Sequence, residues 1–352
     1  MGQRLRIAVI GCGAISKEHL DFISGSPLVE LVGVCDLSPA AANYTAQRYG
    51  AAAAYTDHRQ MLATAKADVV HILTPPMSHS FLVKEALLAD AHVICEKPLA
   101  LSAPTLAELQ QLACAQGRIL METQNVRFND QILTIEELIR DGKLGDVVNV
   151  DVFISVDIAG GGKFSDLNIA APGRDLPGGA IHDFLPHMSY LALHFFGYPS
   201  VGRSRSLWRN ISGNAQVVYD EMDSIIEFDG GVTASARFRS RVKPDRFRVT
   251  VNGTAGSVET DIYQPYIRAE LRRAGAQLSP LVNHAANGAS LLRSSVANFR
   301  SKVLQHSPYH GMPRMLDGLY RAILEGTPAP ITAHEMLRSA LLIDALIEGT
   351  HS

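Results

Sequence analysis

The sequence predicts an α/β protein with two domains: an N-terminal doubly wound parallel sheet and a C-terminal α/β domain with an open, largely antiparallel sheet. Short, almost continuously apolar strands alternate with helices in the first part of the chain, as in a parallel sheet covered on both faces. Later strands alternate apolar and polar residues, the pattern of a sheet with one covered face. A length of 352 residues is enough for two hydrophobic cores.

The first domain is predicted to comprise residues 1–125. Its predicted strands are Arg6–Ile10, Val29–Cys35, Ala52–Tyr55, Val69–Leu73, Val93–Glu96 and Arg118–Glu122. Its predicted helices are Ala14–Ile23, Ala40–Tyr49, Ser78–Ala89 and Ala103–Ala115. We place the domain boundary near Asn125–Asn129.

The second domain is predicted to comprise residues 126–352, with the last helix packing back on the first domain. Its predicted strands are Val147–Asp157, Ile225–Phe228, Val232–Arg241 and Arg246–Asn252. Glycine-rich loops at 160–162 and 178–179 flank a helix that starts near Asp183. Further helices are predicted at Ala289–Leu304, Pro313–Leu324 and Ala333–Ile347, and Thr332 with Glu335 forms a capping box for the last one.

Composition limits the classes of function. A net charge of −3 and a pI near 6.5 give no general attraction to nucleic acid or to an anionic membrane. No run approaches the ~18 apolar residues of a membrane helix, so we expect a soluble, cytoplasmic protein. The four cysteines have no paired spacing, and we expect them to be reduced and buried.

Gly11-Cys12-Gly13-Ala14-Ile15-Ser16 follows the first strand and opens a helix, as in a dinucleotide-binding fingerprint with Ser at the third glycine position. The first glycine permits a tight turn, and the second lets a pyrophosphate approach the backbone. The helix N-terminus then offers N–H groups and a positive dipole to the anion. An ordinary glycine turn is the alternative interpretation.

Asp36 ends the second strand about 20 residues after the fingerprint, where a carboxylate accepts hydrogen bonds from the ribose hydroxyls. It would repel a 2′-phosphate, and Leu37 and Ser38 offer no arginine in its place, so NAD is favoured and NADP stays open. Asp36 could instead cap the next helix.

Two further strand ends are expected at the same edge of the sheet, where such folds bind ligands. Thr74-Pro75-Pro76 ends one strand, with His79 just inside the following helix, and could frame the nicotinamide ribose or be a routine turn. Glu96-Lys97-Pro98 ends the next strand. A lysine there can reach into a cleft while the core holds its strand rigid.

Gly178-Gly179 leads to Asp183 and His187, which are four residues apart and therefore share one face of a helix. An imidazole can take a hydroxyl proton, and a carboxylate one turn away can orient it. Asp183 as a plain N-cap with His187 as a core histidine is the competing interpretation. His182, His187 and His194 match no standard set of metal ligands, so no metal is predicted.

Residues 237–248 are rich in arginine, with only Asp245 opposing them in sequence. Arg237, Arg239 and Arg241 alternate, which puts them on one sheet face. We interpret this run as a solvated face or a subunit interface. An anionic substrate or nucleic acid is the alternative, but Phe238 and Phe247 are the only aromatic residues in the run, less interleaving than a base-stacking surface requires.

Four segments, in order, resemble the Gfo/Idh/MocA oxidoreductase family, the relatives of glucose-fructose oxidoreductase and inositol dehydrogenase. They are Gly11–Ser16, Thr74-Pro75-Pro76 with His79, Glu96-Lys97-Pro98, and Gly178-Gly179 leading to Asp183 and His187. The resemblance implies an N-terminal Rossmann domain and a C-terminal domain used for oligomerisation, so a homo-oligomer, dimer or tetramer, is expected.

The resemblance also implies roles. Lys97 would hold the reacting hydroxyl and contact the cofactor together with Glu96, His187 would act as acid and base, and Asp183 would position His187 or the substrate. Asn125 and Arg127 match a segment that commonly lies near the substrate. This chain departs from the family at Leu185, where a glycine is usual, and at Tyr190, where an acid is frequent.

We therefore expect an NAD(P)-dependent dehydrogenase that transfers a hydride between the nicotinamide cofactor and a secondary alcohol of a sugar, polyol or sugar derivative. One alternative is a glycosidase or lyase that retains NAD and oxidises its sugar transiently. Another is a regulator that binds NAD and a sugar without chemistry. The altered residues around His187 leave the substrate itself unassigned.

Overall fold

The computed structural model describes residues 4–161, 164, 171–272, 278–303 and 309–349. The chain forms two compact units. The first comprises Met1–Asn125 with Gly311–Ala340, and the second comprises Val126–His310 with Leu341–Ser352. The last helix therefore contributes its first part to one unit and its second part to the other.

The elements are numbered in chain order. The strands are β1 (Leu5–Ile10), β2 (Val29–Cys35), β3 (Ala54–Tyr55), β4 (Val69–Ile72), β5 (His92–Cys95), β6 (Leu120–Glu122), β7 (Val147–Ser155), β8 (Val201–Arg209), β9 (Glu221–Phe228), β10 (Thr233–Arg239), β11 (Arg246–Gly253), β12 (Gly256–Asp261) and β13 (Arg268–Leu271). The helices are α1 (Ser16–Gly25), α2 (Pro39–Tyr49), α3 (His58–Ala65), α4 (His79–Leu88), α5 (Ala103–Ala115), α6 (Asp130–Arg140), α7 (Gly179–His182), α8 (Leu185–His194), α9 (Ser279–Val303), α10 (Met312–Glu325) and α11 (Ala333–Glu348).

The first unit contains a six-stranded parallel sheet of order β3-β2-β1-β4-β5-β6. This order confirms the predicted doubly wound fold. The helix starts follow local chemistry: Ser38 accepts a hydrogen bond from the Ala41 N–H at the start of α2, and Ser102 does the same for Thr105 at α5. Asp57 caps α3, a helix that the sequence pattern did not indicate.

The second unit contains a seven-stranded sheet of order β13-β12-β11-β7-β10-β9-β8. Only the β7–β10 pair is parallel among its described strand pairs, which confirms the predicted mixed, largely antiparallel sheet. Alternate residues of β10 and β11 are buried, and α8 packs against β7 and β10. The sheet therefore has one covered face, as its period-two pattern predicts.

Several predicted boundaries differ from the structure. Helix α9 begins at Ser279 rather than Ala289, and Leu304, Gly162 and Lys163 lie outside the described residues. Strands β8, β12 and β13 and helix α6 were not predicted. The predicted capping box of α11 is present, with Thr332 and Glu335 bonded reciprocally.

Two expectations about side chains are corrected. Cys35 and Cys95 are buried, but Cys12 is half-buried and Cys114 is exposed. The arginine run is opposed by carboxylates of neighbouring β9, because Arg239 Nη2 lies 2.5 Å from Asp223 Oδ1. No helix in the described part of the chain is long and apolar enough to cross a membrane.

Candidate active site

The strand order of the first unit reverses on either side of β1, since β2 lies beside one edge of β1 and β4 beside the other. The chain after β1 and the chain after β4 therefore leave the sheet at a switch point, where doubly wound sheets open a ligand crevice. Every cofactor-binding residue predicted from the sequence lies on the segments that follow β1, β2, β4 and β5 at this edge.

Gly11 and Gly13 have different reasons to be glycine. Gly11 has φ of +98°, and a Cβ there would lie 2.8 Å from the Leu73 carbonyl carbon, so the turn and the end of β4 require it. Gly13 has a negative φ, and a Cβ there would meet no described protein atom within 4 Å. The fold therefore requires glycine at position 11 for its own backbone geometry. At Gly13 it leaves open space through which a ligand can approach the backbone.

Helix α1 begins at Ser16 rather than at the predicted Ala14, because Ala14 and Ile15 still belong to the turn. The Ser16 hydroxyl donates to the Gly13 carbonyl at 2.6 Å. Serine at the third fingerprint position thus closes the turn with a hydrogen bond.

Asp36 ties the glycine turn to the end of β2. Its Oδ2 accepts the Cys12 N–H at 2.8 Å, and its Oδ1 accepts the Ser38 N–H at 2.8 Å. Ser38, not Asp36, caps α2, so the capping interpretation of Asp36 is wrong. Because a carboxylate has about four acceptor sites, Asp36 keeps capacity for ribose hydroxyls.

Thr74-Pro75-Pro76 continues into a short 3₁₀ turn, Pro76–Ser78, and His79 then links two loops. One ring nitrogen of His79 lies 2.6 Å from the Thr74 carbonyl oxygen and the other 2.8 Å from that of Pro98. Burial lowers the pKa of His79, although the two carbonyls partly offset this. The histidine therefore joins the Thr-Pro-Pro loop to the Glu-Lys-Pro loop.

Glu96-Lys97-Pro98 follows β5, with Glu96 and Pro98 buried and Lys97 half-buried. Glu96 Oε2 accepts the backbone N–H of Lys97 at 3.2 Å, and Glu96 Oε1 lies 3.3 Å from His19 Nε2. Burial raises the pKa of Glu96, but the His19 hydrogen bond and the Lys97 charge outweigh it, so the net pKa is lowered. Glu96 therefore supplies a fixed negative charge beside Lys97.

Sequence reasoning missed four buried residues around this tripeptide: His19, His71, Glu122 and Tyr320. Glu122 Oε1 accepts the Leu99 N–H at 2.9 Å, and burial raises its pKa. His71 left a readable signal, because it interrupts the otherwise apolar strand β4. Nothing in the sequence pattern marks Tyr320, which lies 249 positions from its partner His71.

In the second unit, Asp183 lies in the link between α7 and α8, where Gly173 packs so closely that a Cβ there would be 2.8 Å from Asp183 Cβ. The N-cap of α8 is Phe184, which makes no side-chain cap, so Asp183 as a plain N-cap is wrong. Half-buried His187 lies in the first turn of α8, and its Nδ1 is 2.6 Å from the hydroxyl of Tyr190.

Asn125 and Arg127 are buried in the 3₁₀ turn Asn125–Phe128. Asn125 ends the main segment of the first unit, whereas Arg127 belongs to the second. The Arg127 guanidinium lies over the Tyr198 ring, 5.3 Å from its centroid. Among the described residues, no group of three or more His, Cys, Asp or Glu could hold a metal ion.

Comparison with known proteins assigns both units. Residues 5–124 match the Gfo/Idh/MocA oxidoreductase family, NAD-binding Rossmann fold, and residues 132–259 match the Gfo/Idh/MocA C-terminal domain. The chain belongs to the Gfo/Idh/MocA family of oxidoreductases, which confirms the resemblance seen in the sequence.

Two of the relatives are named as dehydrogenases of a glucoside and of inositol. The chain is 30% identical to D-glucoside 3-dehydrogenase of Escherichia coli K12, over 56% of this chain and 55% of that protein. It is 28% identical to inositol 2-dehydrogenase of Rhizobium meliloti, over 74% of this chain and 77% of that protein. The match thus spans about half the length of the first relative.

Solved structures share the fold over almost the whole chain. A levoglucosan dehydrogenase in complex with NADH and levoglucosan has a TM-score of 0.80 at 18% identity, covering 99% of this chain and 97% of that one. GenD2 from gentamicin A biosynthesis, in complex with NAD, has a TM-score of 0.73 at 21% identity, covering 99% and 95%.

Proposed function

We propose that this chain is an NAD-dependent dehydrogenase acting on a secondary alcohol of a sugar, polyol or sugar derivative. The observation that carries the proposal is the position of Lys97. Lys97 lies at the sheet edge where doubly wound folds bind ligands, and the ionised Glu96 carboxylate accepts a hydrogen bond from the Lys97 backbone N–H. A cationic side chain at this position suits a reaction that develops negative charge on a hydroxyl oxygen.

The residues at the sheet edge fit a dinucleotide. The turn 11–15 and the N-terminus of α1 would hold the pyrophosphate, with the open side of Gly13 towards it. Asp36 would accept the ribose hydroxyls, and its negative charge favours NAD over NADP. The nicotinamide end would lie near Thr74-Pro75-Pro76, His79, Glu96 and Lys97. When bound, the nicotinamide supplies the acceptor for the hydride of the substrate C–H.

Proton transfer and stabilisation of the developing charge are then assigned to side chains of the protein. His187 takes the hydroxyl proton at Nε2, since Tyr190 occupies Nδ1. Lys97, as an ammonium, stabilises the alkoxide that develops, and Asp183 positions His187 or the substrate. Positioned acid–base help of this kind is worth ~10²–10⁴ in rate. Asn125 and Arg127 are proposed to contact the rest of the substrate.

The test is the Lys97→Met variant, assayed for NADH formation against inositols, aldoses, sugar acids and nucleotide sugars with both cofactors. We expect kcat to fall by ~10²-fold or more, because a charge aimed at the developing alkoxide is lost, while NAD affinity changes little. Lys84→Met, which removes an exposed lysine of α4, is the matched control and should behave as wild type. Near-normal turnover in Lys97→Met would refute the assignment.

Product analysis distinguishes the two alternatives. Cleavage of a glycoside without accumulation of NADH would support a hydrolase or lyase that retains its cofactor, and tight binding of NAD and a sugar without turnover would support a regulator. A homo-oligomer and a cytoplasmic location remain predictions; light scattering would test the first and cell fractionation the second.

A further inference from the structure

Four side chains that are distant in sequence meet in the interior of the first unit: His19 of α1, His71 of β4, Tyr320 of α10, and Glu96 after β5. His19, His71 and Tyr320 are fully buried, and Glu96 is 8% exposed. Tyr320 Oη lies 2.9 Å from His71 Nε2, His71 Nδ1 lies 2.9 Å from His19 Nδ1, and His19 Nε2 lies 3.3 Å from Glu96 Oε1. We name these residues the buried histidine chain.

The proton positions in this chain follow from its acidic end. An ionised carboxylate only accepts hydrogen bonds, so Glu96 requires a proton on Nε2 of His19. If this is the only proton on the His19 ring, Nδ1 of His19 accepts from the Nδ1–H of His71. His71 in turn accepts at Nε2 from the hydroxyl of Tyr320. With His19 singly protonated, one arrangement satisfies all three contacts, and every donor in it is directed towards Glu96.

The environment supports this arrangement. Burial lowers the pKa of His71 well below its usual range, and the proximity of His19 lowers it further, so His71 stays neutral. Burial raises the pKa of Tyr320, which keeps its hydroxyl a donor. The Tyr320 ring is fixed as well, because it stacks on Phe22 with a centroid distance of 6.1 Å.

We propose that the buried histidine chain is a positioning device that keeps Glu96 ionised and in place beside Lys97. Both carboxylate oxygens are held, one by His19 and the other by the backbone N–H of Lys97. Removing the donor at Oε1 leaves the buried carboxylate with only the Lys97 contacts to offset its burial, which shifts it towards the protonated form. The neutral acid then supplies no negative charge beside Lys97. The consequence for turnover rests on the proposed function; the protonation of Glu96 does not.

The central test compares His19→Leu, which removes the donor to Glu96, with His19→Gln, which keeps an N–H donor of similar length. Selective ¹³C labelling of glutamate follows the carboxyl titration of Glu96 by NMR without any substrate. We expect Glu96 to titrate at least one pH unit higher in His19→Leu and close to wild type in His19→Gln. On the proposed function, kcat should fall in His19→Leu and stay close to wild type in His19→Gln.

Tyr320→Phe tests the far end of the chain with a milder change. We expect a smaller upward shift of the same Glu96 titration, because His71 loses its donor and polarises His19 less. Tyr49→Phe removes a surface hydroxyl that bonds Asp21 at 3.0 Å and is the control expected to change nothing. Histidine ¹⁵N spectra of the wild type should show His71 protonated at Nδ1.

Three results would overturn the proposal: His71 protonated at Nε2 in the wild type, an unshifted Glu96 titration in a folded His19→Leu protein, or equal effects of Tyr320→Phe and Tyr49→Phe. Failure of the proposed function has a different signature. If Lys97→Met is as active as wild type while Glu96 still titrates as described, the buried histidine chain holds Glu96 for another purpose. The dehydrogenase role of Lys97 is then wrong.

Discussion

Tyr190 stands where the family frequently has an acid, and its hydroxyl contacts Nδ1 of His187 at 2.6 Å. For His187 to accept a proton at Nε2, Nδ1 must carry the hydrogen and Tyr190 must accept it. We predict that Tyr190→Phe lowers kcat by up to about tenfold, the worth of one hydrogen bond, without changing NAD affinity. Steady-state kinetics with cofactor titration measures this.

Tyr190→Asp places at this position the acid that the family frequently has. It should favour the protonated form of His187. A buried carboxylate stabilises the imidazolium, so the acid limb of kcat/KM should move to higher pH than in wild type. Tyr266→Phe loses a comparable 2.6 Å hydrogen bond to Glu259 on the sheet and serves as the control. If Tyr190→Phe and Tyr266→Phe have equal kinetics, Tyr190 has no role in positioning His187.

Asp36 is the residue to which we assign the choice of cofactor. In Asp36→Ala we expect NAD affinity to fall by about tenfold or more, since hydrogen bonds to a charged acceptor are lost, and discrimination against NADP to weaken. Asp57→Ala also removes a carboxylate that holds a backbone N–H in the same unit and is the matched control. An unchanged NAD/NADP preference, measured by fluorescence titration, contradicts the ribose assignment.

At the scale of elements, the turn after β1 contains one glycine that the fold requires and another that we expect ligand binding to require. Gly11→Ala should destabilise the protein by about 1–3 kcal/mol, because the residue keeps a positive φ and its Cβ meets the backbone at Leu73. Gly13→Ala should change stability by less than about 0.5 kcal/mol. It should nevertheless weaken NAD binding by about tenfold or more, because the methyl group fills the space left for the pyrophosphate.

Denaturant unfolding and NAD titration of both variants check this pair. A Gly13→Ala protein that binds NAD like the wild type would show that the fingerprint turn does not approach a dinucleotide. A Gly11→Ala protein of unchanged stability would show that the turn can relax away from Leu73.

The elements that could be read from sequence are those whose signals are local. Helix α5 lies at its predicted bounds, because Ser102 and Pro104 mark its start. Helix α3 was missed because it is only eight residues long, although Asp57 caps it. The site divides in the same way: glycine turns and strand-end residues carry sequence signals, whereas Tyr320 reaches the site only through tertiary packing.

At the scale of the whole molecule, buried neutral histidines make stability depend on pH. Burial lowers the pKa of His71 and of His79 in the first unit. Between the folded-state pKa values and about 6.5, the unfolded chain binds protons that the folded chain does not. The contribution of these histidines to the free energy of unfolding is therefore fully present above about pH 6.5. It falls as pH decreases, by up to about 1.4 kcal/mol per pH unit for each histidine. Glu122 opposes this trend, because its raised pKa makes the folded state the better proton acceptor.

A double variant isolates the contribution of the buried histidine chain. His71→Leu with Tyr320→Phe removes both members of one buried hydrogen bond and leaves only His19 Nδ1 without its partner, so the fold should survive. Between pH 7.5 and 5.5 its unfolding free energy should fall less steeply than that of wild type, by about one proton's slope, and the Glu122 contribution cancels in the difference. Hydrogen exchange at β4 amides reports the first unit, and fluorescence of Trp208, the only tryptophan in the chain, reports the second. The slope difference should appear at β4 and not at Trp208; identical slopes in the two proteins would mean that His71 takes up its proton in the folded state.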